Sequence, residues 1–190
     1  MTTTSTSPID RLKDRLPAHA RDLKINLGVI AGATALSPQQ AWGTALAAAI
    51  TARNREVTAA VEDAAAVELS PEALGAARGA ASIMGMNNIY YRFLHMMGEA
   101  SEYPQMPARL RMQILARPGV DALDFELWCL AASAITGCEM CVRAHEKSVR
   151  DKRGTAEQVH EAVRIAAVVH AVALTLDGER PVPVAAATAA

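Results

Sequence analysis

Cys138 and Cys141 stand three residues apart, and His145 follows the second thiol by four. A helix turns by roughly 100° per residue, so these three side chains share one stripe of a helix. Two thiols and a base on one face can carry out thiol–disulfide chemistry. The thiolate is the reactive species, and a neighbouring imidazole supplies it near neutral pH. Cysteines at i and i+3 come close enough to bridge if the turn lies near a helix start, a placement that Gly137 supports. Unsatisfied N–H groups and the positive dipole end favour a thiolate at such a start. His145 is one turn from Cys141 and two from Cys138, which makes it the base for Cys141 specifically.

Glu126 lies twelve residues before Cys138, among the apolar Phe125, Leu127 and Trp128. Spacing alone favours the exposed side of its helix. If buried, the carboxylate needs a partner, and His145 would be that partner, its ring oriented as in a nucleophile–base–orienter set. The cysteines have two other readings. They can be small buried apolar residues, or C-x-x-C-x3-H can supply three zinc ligands, with Cys129 as the fourth only if a kink folds it back. No second C-x-x-C and no H-x3-H exists in the chain, so redox chemistry leads. Cys129 itself reads as a small core residue. His170, among valines, reads as a satisfied buried histidine, and His160 as solvated. His95 reads as packed or at an interface. Met84, Met86, Met96 and Met97 read as core filling. Asn87 and Asn88 are unusual in mid-helix, either stitching helices together or lying on a polar face.

The elements that position these residues are predicted to be helices throughout. Pro8 to Leu16 forms one, stopped by Pro17, and Ala18 to Leu27 a second. Gly28 to Leu36 is a turn-rich connection. Ser37, Pro38 and Gln40 carry a capping box that opens a helix to about Arg53. Arg55 to Val67 follows, and Ser70-Pro71 opens a long helix towards Met97. Ala108 to Leu115 is a short helix, Ala122 to Ile135 the next, and Cys138 to about Lys152 carries the thiols. Gly154-Thr155 caps the last, Ala156 to about Leu176. No segment reads as a strand. Residues 1–8 read as a disordered N-terminal tail, 9–176 as one all-α domain, and 177–190 as a flexible C-terminal tail. A faint echo links the segment that opens Trp42-Gly43-Thr44-Ala45 to the one that opens Trp128-Cys129-Leu130-Ala131. It is either a duplicated helical hairpin or a coincidence between Ala-rich helices.

Composition agrees with helices. The chain has 190 residues, 51% of them apolar but only 4% aromatic, with much of the apolar content alanine. Net charge is −1, which offers no general attraction to nucleic acid or anionic membrane. Three cysteines do not make a secreted disulfide scaffold. No signal peptide is read at the start, and the apolar stretch Ile165 to Leu176 is too short to cross a bilayer, so a cytoplasmic protein is expected.

Phe125-Glu126-Leu127-Trp128, Ser133-Ala134-Ile135 and Gly137-Cys138-x-x-Cys141-x-x-Ala144-His145-Glu146 together resemble the alkyl hydroperoxidase AhpD family, within the carboxymuconolactone decarboxylase-like superfamily. Met84-Gly85-Met86-Asn87-Asn88-Ile89-Tyr90-Tyr91-Arg92 and Leu110-Arg111-Met112 resemble it too, so the likeness runs from about Ile9 to Leu176. The resemblance implies an all-helical, AhpD-like subunit assembled as a homotrimer, and a redox-active disulfide between Cys138 and Cys141. It implies that Cys141 reacts with an organic hydroperoxide and forms a mixed disulfide with the peroxiredoxin AhpC. Cys138 would be the proton donor and resolving thiol, with His145 and Glu126 as proton relay. Electrons would come from a dihydrolipoyl group on a 2-oxoacid dehydrogenase component, itself reduced by lipoamide dehydrogenase. No bound cofactor or metal is implied. Where some family members have a histidine between the cysteines, this chain has Met140, whose thioether transfers no proton. A carboxymuconolactone decarboxylase-like lyase remains an alternative, though such chemistry needs acid–base groups rather than paired thiols. A non-enzymatic zinc-binding helical module is another.

Overall fold

A computed structural model describes residues 7–179; most of both expected tails lies outside them. Nine α-helices occur among the described residues: α1 (Pro8–Arg15), α2 (Arg21–Asn26), α3 (Pro38–Ala52), α4 (Arg55–Glu68), α5 (Pro71–Met97), α6 (Gln113–Ala116), α7 (Ala122–Thr136), α8 (Glu139–Asp151) and α9 (Ala156–Gly178). Short 3-10 turns complete the structure, and no strand is present among these residues. The fold is therefore all-α.

Capping chemistry sets most boundaries. Ser37 and Gln40 form a reciprocal capping box at the start of α3, and Thr155 and Gln158 form another at α9. Ser70 accepts from the Ala73 N–H and opens α5, which runs unbroken through Gly85 to Met97. The short helix expected from Ala108 is different: only Gln113–Ala116 is helical. Arg109 sits at φ 50°, in the left-handed region, and no right-handed helix continues through such a residue. α9 extends two residues beyond its expected end, and Asp177 accepts a 2.7 Å hydrogen bond from Asn54 Nδ2.

α3 and α7 pack against each other, and α5 and α9 each pack against both. Alanines make the close approach: Ala45, Ala47, Ala48 and Ala49 on α3 and Ala131 and Ala132 on α7 are fully buried. The largest buried side chain, Trp128, lies over Gly43, and its Nε1–H donates to the Gln40 carbonyl at 3.2 Å. A Cβ on Gly43 would enter the indole ring. Gly43→Ala is therefore expected to destabilise the chain by about 1–3 kcal/mol despite alanine's better helix propensity. Thermal unfolding should show a midpoint lowered by several degrees, and an unchanged or raised midpoint would contradict this packing.

α9 is long and apolar enough by composition to pass for a membrane span. In the fold it lies against α3 and α7 and buries Ile165, Val169 and Val172. Its buried Glu161 accepts from the backbone N–H groups of Thr34, Ala35 and Leu36, which pins the connection ahead of α3. Burial pushes that carboxyl up, but the three N–H donors and Arg164 outweigh it and hold it below its ordinary value.

Two expectations about exposure are corrected. His170 is exposed, not buried, because it lies on the face of α9 turned away from α3 and α7. Met96 and Met97 are exposed at the end of α5, beyond its packing partners, whereas Met84 is fully buried. The exposed His95 faces Glu139 Oε2 at 3.4 Å.

α3 and α7 are alike at their ends, at a register two residues displaced from the echo, so that Trp42 stands opposite Glu126 and not Trp128. Both α3 and α7 have fifteen residues and end on a residue at φ 68°, Arg53 in one and Gly137 in the other. The next residue caps the following helix in each: Asn54 accepts from the Val57 N–H, and Cys138 accepts from the Cys141 N–H. At this register Val57 and Val61, both fully buried, match Cys141 and His145.

Candidate active site

The sharp corner between α7 and α8 carries the thiols. Gly137 N–H donates to the Ala134 carbonyl and Cys138 N–H to the Ser133 carbonyl, each at 3.2 Å. This is the Schellman pattern, and it needs the left-handed conformation that glycine adopts freely. No loop separates the helices, so Cys138 is both the exit from α7 and the N-cap of α8. Cys138 and Cys141 are joined in a disulfide across the first turn of α8, with Cα atoms 5.3 Å apart. The Cys141 N–H points at Cys138 Sγ at 3.3 Å. Cys138 is wholly buried, whereas Cys141 lies on the wall of a cavity.

Glu126 is not on an exposed face. α7 is enclosed by α3, α5, α8 and α9, so the helix has little solvent side to offer. The carboxylate is largely buried, and its Oε2 meets His145 Nδ1 at 2.7 Å. Its Oε1 accepts from Ser148 Oγ at 2.8 Å and faces Lys152 Nζ at 3.4 Å. Burial pushes the Glu126 carboxyl up, but the hydrogen bonds from His145 and Ser148 and the Lys152 charge outweigh it, leaving it below its ordinary value. Glu126 is thus ionised at neutral pH and fixes the ring, with Nδ1 engaged and Nε2 turned inward. Nε2 lies 3.2 Å from Met84 Sδ. Among the described residues no hydrogen bond joins His145 to either sulfur of the disulfide.

Spacing in the sequence misses three residues of this network. Ser148 and Lys152 continue the stripe of Cys141 and His145 at i+3 and i+7 from the histidine, a signal present in the sequence. Met84 comes from the distant α5 and leaves no local sign. Cys129 is fully buried in α7, where burial and the Glu126 charge push its thiol well up, so it stays protonated. No three His, Cys, Asp or Glu side chains converge as a metal-binding set among the described residues.

The cavity beside Cys141 has a volume of about 320 Å³. Tyr91, Met112, Leu115 and Met140 supply much of its wall, and His145 and Asn87 also border it. Behind it, Asn88 ties α5 to α7. Its Nδ2 donates to Thr136 Oγ1 at 2.8 Å, and its Oδ1 accepts from Ser133 Oγ at 3.0 Å. Arg92 adds a 2.7 Å bond to the Thr136 carbonyl, bracing the corner that holds Gly137.

Known proteins are similar to this chain. The Carboxymuconolactone decarboxylase family model matches residues 101–180, the stretch that holds α7, α8 and α9. A protein of Gluconacetobacter diazotrophicus named alkyl hydroperoxide reductase AhpD is 59% identical over 170 residues, covering 90% of this chain and 93% of that protein. A Rhodospirillum centenum protein of the same name is 52% identical over 171 residues, 90% of this chain and 91% of its own. A third, from Solibacter usitatus, is 50% identical over 171 residues, 90% of this chain and 96% of its own. Identity this high along nearly the whole domain decides descent: the chain belongs to the alkyl hydroperoxide reductase AhpD family.

Proposed function

We propose that this chain is a thiol-dependent alkyl hydroperoxide reductase that cycles between the Cys138–Cys141 disulfide and the dithiol. The observation that carries the reading is a disulfide at a helix start with only one sulfur, that of Cys141, on a cavity wall. In the dithiol form the Cys141 thiolate attacks the distal oxygen of a hydroperoxide. An S–O bond forms, the O–O bond breaks, and the alcohol leaves after taking a proton. Cys138 then attacks the sulfenic sulfur; the S–S bond forms and water departs. His145, held at Nδ1 by Glu126, would take the thiol proton on Nε2, the nitrogen that faces Met84 Sδ in the disulfide form, and return it to the leaving oxygen.

Re-reduction uses the same geometry. An incoming dithiol reaches Cys141 Sγ, the sulfur at the cavity, and expels Cys138 as thiolate. The Cys141 N–H already points at that sulfur, so the leaving group is stabilised where it forms. The second thiol of the donor then closes its own disulfide and releases Cys141. The donor of this reading is a dihydrolipoyl group carried on a 2-oxoacid dehydrogenase component and recharged by lipoamide dehydrogenase. The peroxiredoxin AhpC is the protein whose disulfide this chain would reduce in turn. Family membership supports an AhpC system in general; the lipoyl donor, a homotrimer and a cytoplasmic location are parts of the proposal. Met140 takes no part in proton transfer, which leaves the relay to His145 and Glu126.

The test combines the chain with dihydrolipoamide, lipoamide dehydrogenase, NADH and an alkyl hydroperoxide. NADH consumption that requires both the chain and the hydroperoxide is the expected result. No consumption above the chain-free control overturns the reading, and stoichiometric zinc in the purified protein would favour the binding-module alternative.

A further inference from the structure

Asn87 and Asn88 are adjacent and both buried, yet they are used differently. Asn88 has partners at both ends of its carboxamide, Thr136 and Ser133. Asn87 Oδ1 is buried with no hydrogen-bond partner, and no side-chain hydrogen bond involves Asn87 among the described residues. A buried carbonyl oxygen without a partner forfeits the hydrogen bond that water gives it in the unfolded chain, and asparagine is a poor helix former besides. Buried polar groups in native proteins are nearly always paired, so an exception calls for an explanation; the other such atom among the described residues, Thr44 Oγ1, lies in α3 and borders no cavity beside Cys141. The place of this one is informative: Asn87 borders the cavity that Cys141 and His145 also border.

We infer that this cavity is the subsite for the organic hydroperoxide, with the Asn87 carboxamide as its polar anchor and Tyr91, Met112, Leu115 and Met140 as the wall for the organic group. This rests on the function proposed above. The chemistry fits the lining. A hydroperoxide has a polar O–O–H head and an apolar body, and the cavity that Cys141 borders offers one carboxamide with an unpaired oxygen and mainly apolar surface elsewhere. A carboxamide can accept from the peroxide O–H and donate to the oxygen that becomes the alcohol, where negative charge develops as the O–O bond breaks. Atoms balance as before: one oxygen goes to Cys141, and the rest of the peroxide leaves as alcohol with one added proton. Hydrogen peroxide has the polar head only and gains nothing from the wall.

The test is single-turnover oxidation of the dithiol form, with cumene hydroperoxide and hydrogen peroxide compared, beside alkylation of Cys141 by iodoacetamide. Asn87→Ala is expected to slow oxidation by cumene hydroperoxide by about ten- to a hundredfold, the scale of one hydrogen bond to a developing charge. Alkylation, which reports the thiolate alone, should stay within about twofold. Equal slowing of both reactions, or of neither, overturns the role of Asn87. Leu115→Trp narrows the cavity at another residue of its lining and decides the matter should Asn87→Ala not fold. It is expected to slow cumene hydroperoxide at least tenfold more than hydrogen peroxide, and equal effects overturn the subsite. If the unmodified dithiol form reacts with neither peroxide, the function falls and the subsite with it; a failure confined to the variants removes the subsite alone.

Discussion

Cys141→Ser is expected to abolish hydroperoxide turnover driven by dihydrolipoamide, to the rate of the chain-free control. Its hydroxyl takes the position of the sulfur on the cavity wall, but an unactivated alcohol neither attacks peroxide oxygen nor forms a disulfide. Cys138→Ser is expected to behave differently. Cys141 remains, so one equivalent of hydroperoxide is consumed and the cycle halts at a sulfenic acid, with no second thiol to expel water. The sulfenic acid is trapped by dimedone and read as a mass increase on Cys141. With a thiol donor present, the Cys138→Ser chain accumulates a mixed disulfide on Cys141, because the internal thiol that would resolve it is gone. Turnover that survives Cys141→Ser, or a trapped adduct on Cys138 in the Cys141→Ser chain, would reverse the assignment of the two sulfurs.

The second large effect lies in the Glu126–His145 pair. An ordinary thiol titrates near 8.5, so only about 3% is thiolate at pH 7. If His145 holds Cys141 as thiolate, His145→Phe is expected to cut iodoacetamide alkylation at pH 7 by up to about thirtyfold. The deficit should shrink as pH rises and vanish above about pH 9, where the thiol ionises unaided. Hydroperoxide turnover should fall further, by about a hundredfold or more, since the leaving oxygen also loses its proton source. An alkylation rate unchanged by the substitution would remove His145 from its role as base. Glu126→Gln leaves the ring in place with a weaker hold and is expected to lie between the two. The pH behaviour of the pair is set by the sign of the Glu126 displacement. Its carboxyl lies below the ordinary glutamate value in the folded chain, so its stabilising effect is complete above about pH 4.3 and is lost as pH falls through the lower folded value. Acid unfolding of Glu126→Gln should therefore show a shallower pH dependence than the parent chain.

The helices are legible because their boundaries are written in short-range chemistry. Ser37-Pro38, Ser70-Pro71 and Thr155 cap helices where the sequence places them, and Gly137 breaks the chain where a left-handed residue is needed. The segment after Ala108 is not legible, since nothing in its composition announces that Arg109 takes a positive φ. The stripe of Cys138, Cys141 and His145 can be read for the same reason as the caps: it lies within one helix and its N-cap. Contacts that cross between helices cannot. Spacing puts Glu126 on an exposed face because it cannot tell a helix enclosed on nearly every side from one with a wet face. Met84 and Asn87 reach the site from α5, some sixty and fifty residues away in sequence from the groups they approach, and only tertiary packing brings them there. His170 shows the converse, an apolar neighbourhood in sequence that proves to be the open face of a helix.

The matched corners at Arg53–Asn54 and Gly137–Cys138 have a consequence of their own. In the first, an asparagine oxygen fills the capping position, and two valines take the places of the thiol and the imidazole. That joint turns and seals without any sulfur. A corner of this kind thus forms without sulfur, so a thiol is not what such a turn requires. In the function proposed above, competence as a reductase therefore rests on Cys138, Cys141, His145 and Glu126 and not on the shape that surrounds them.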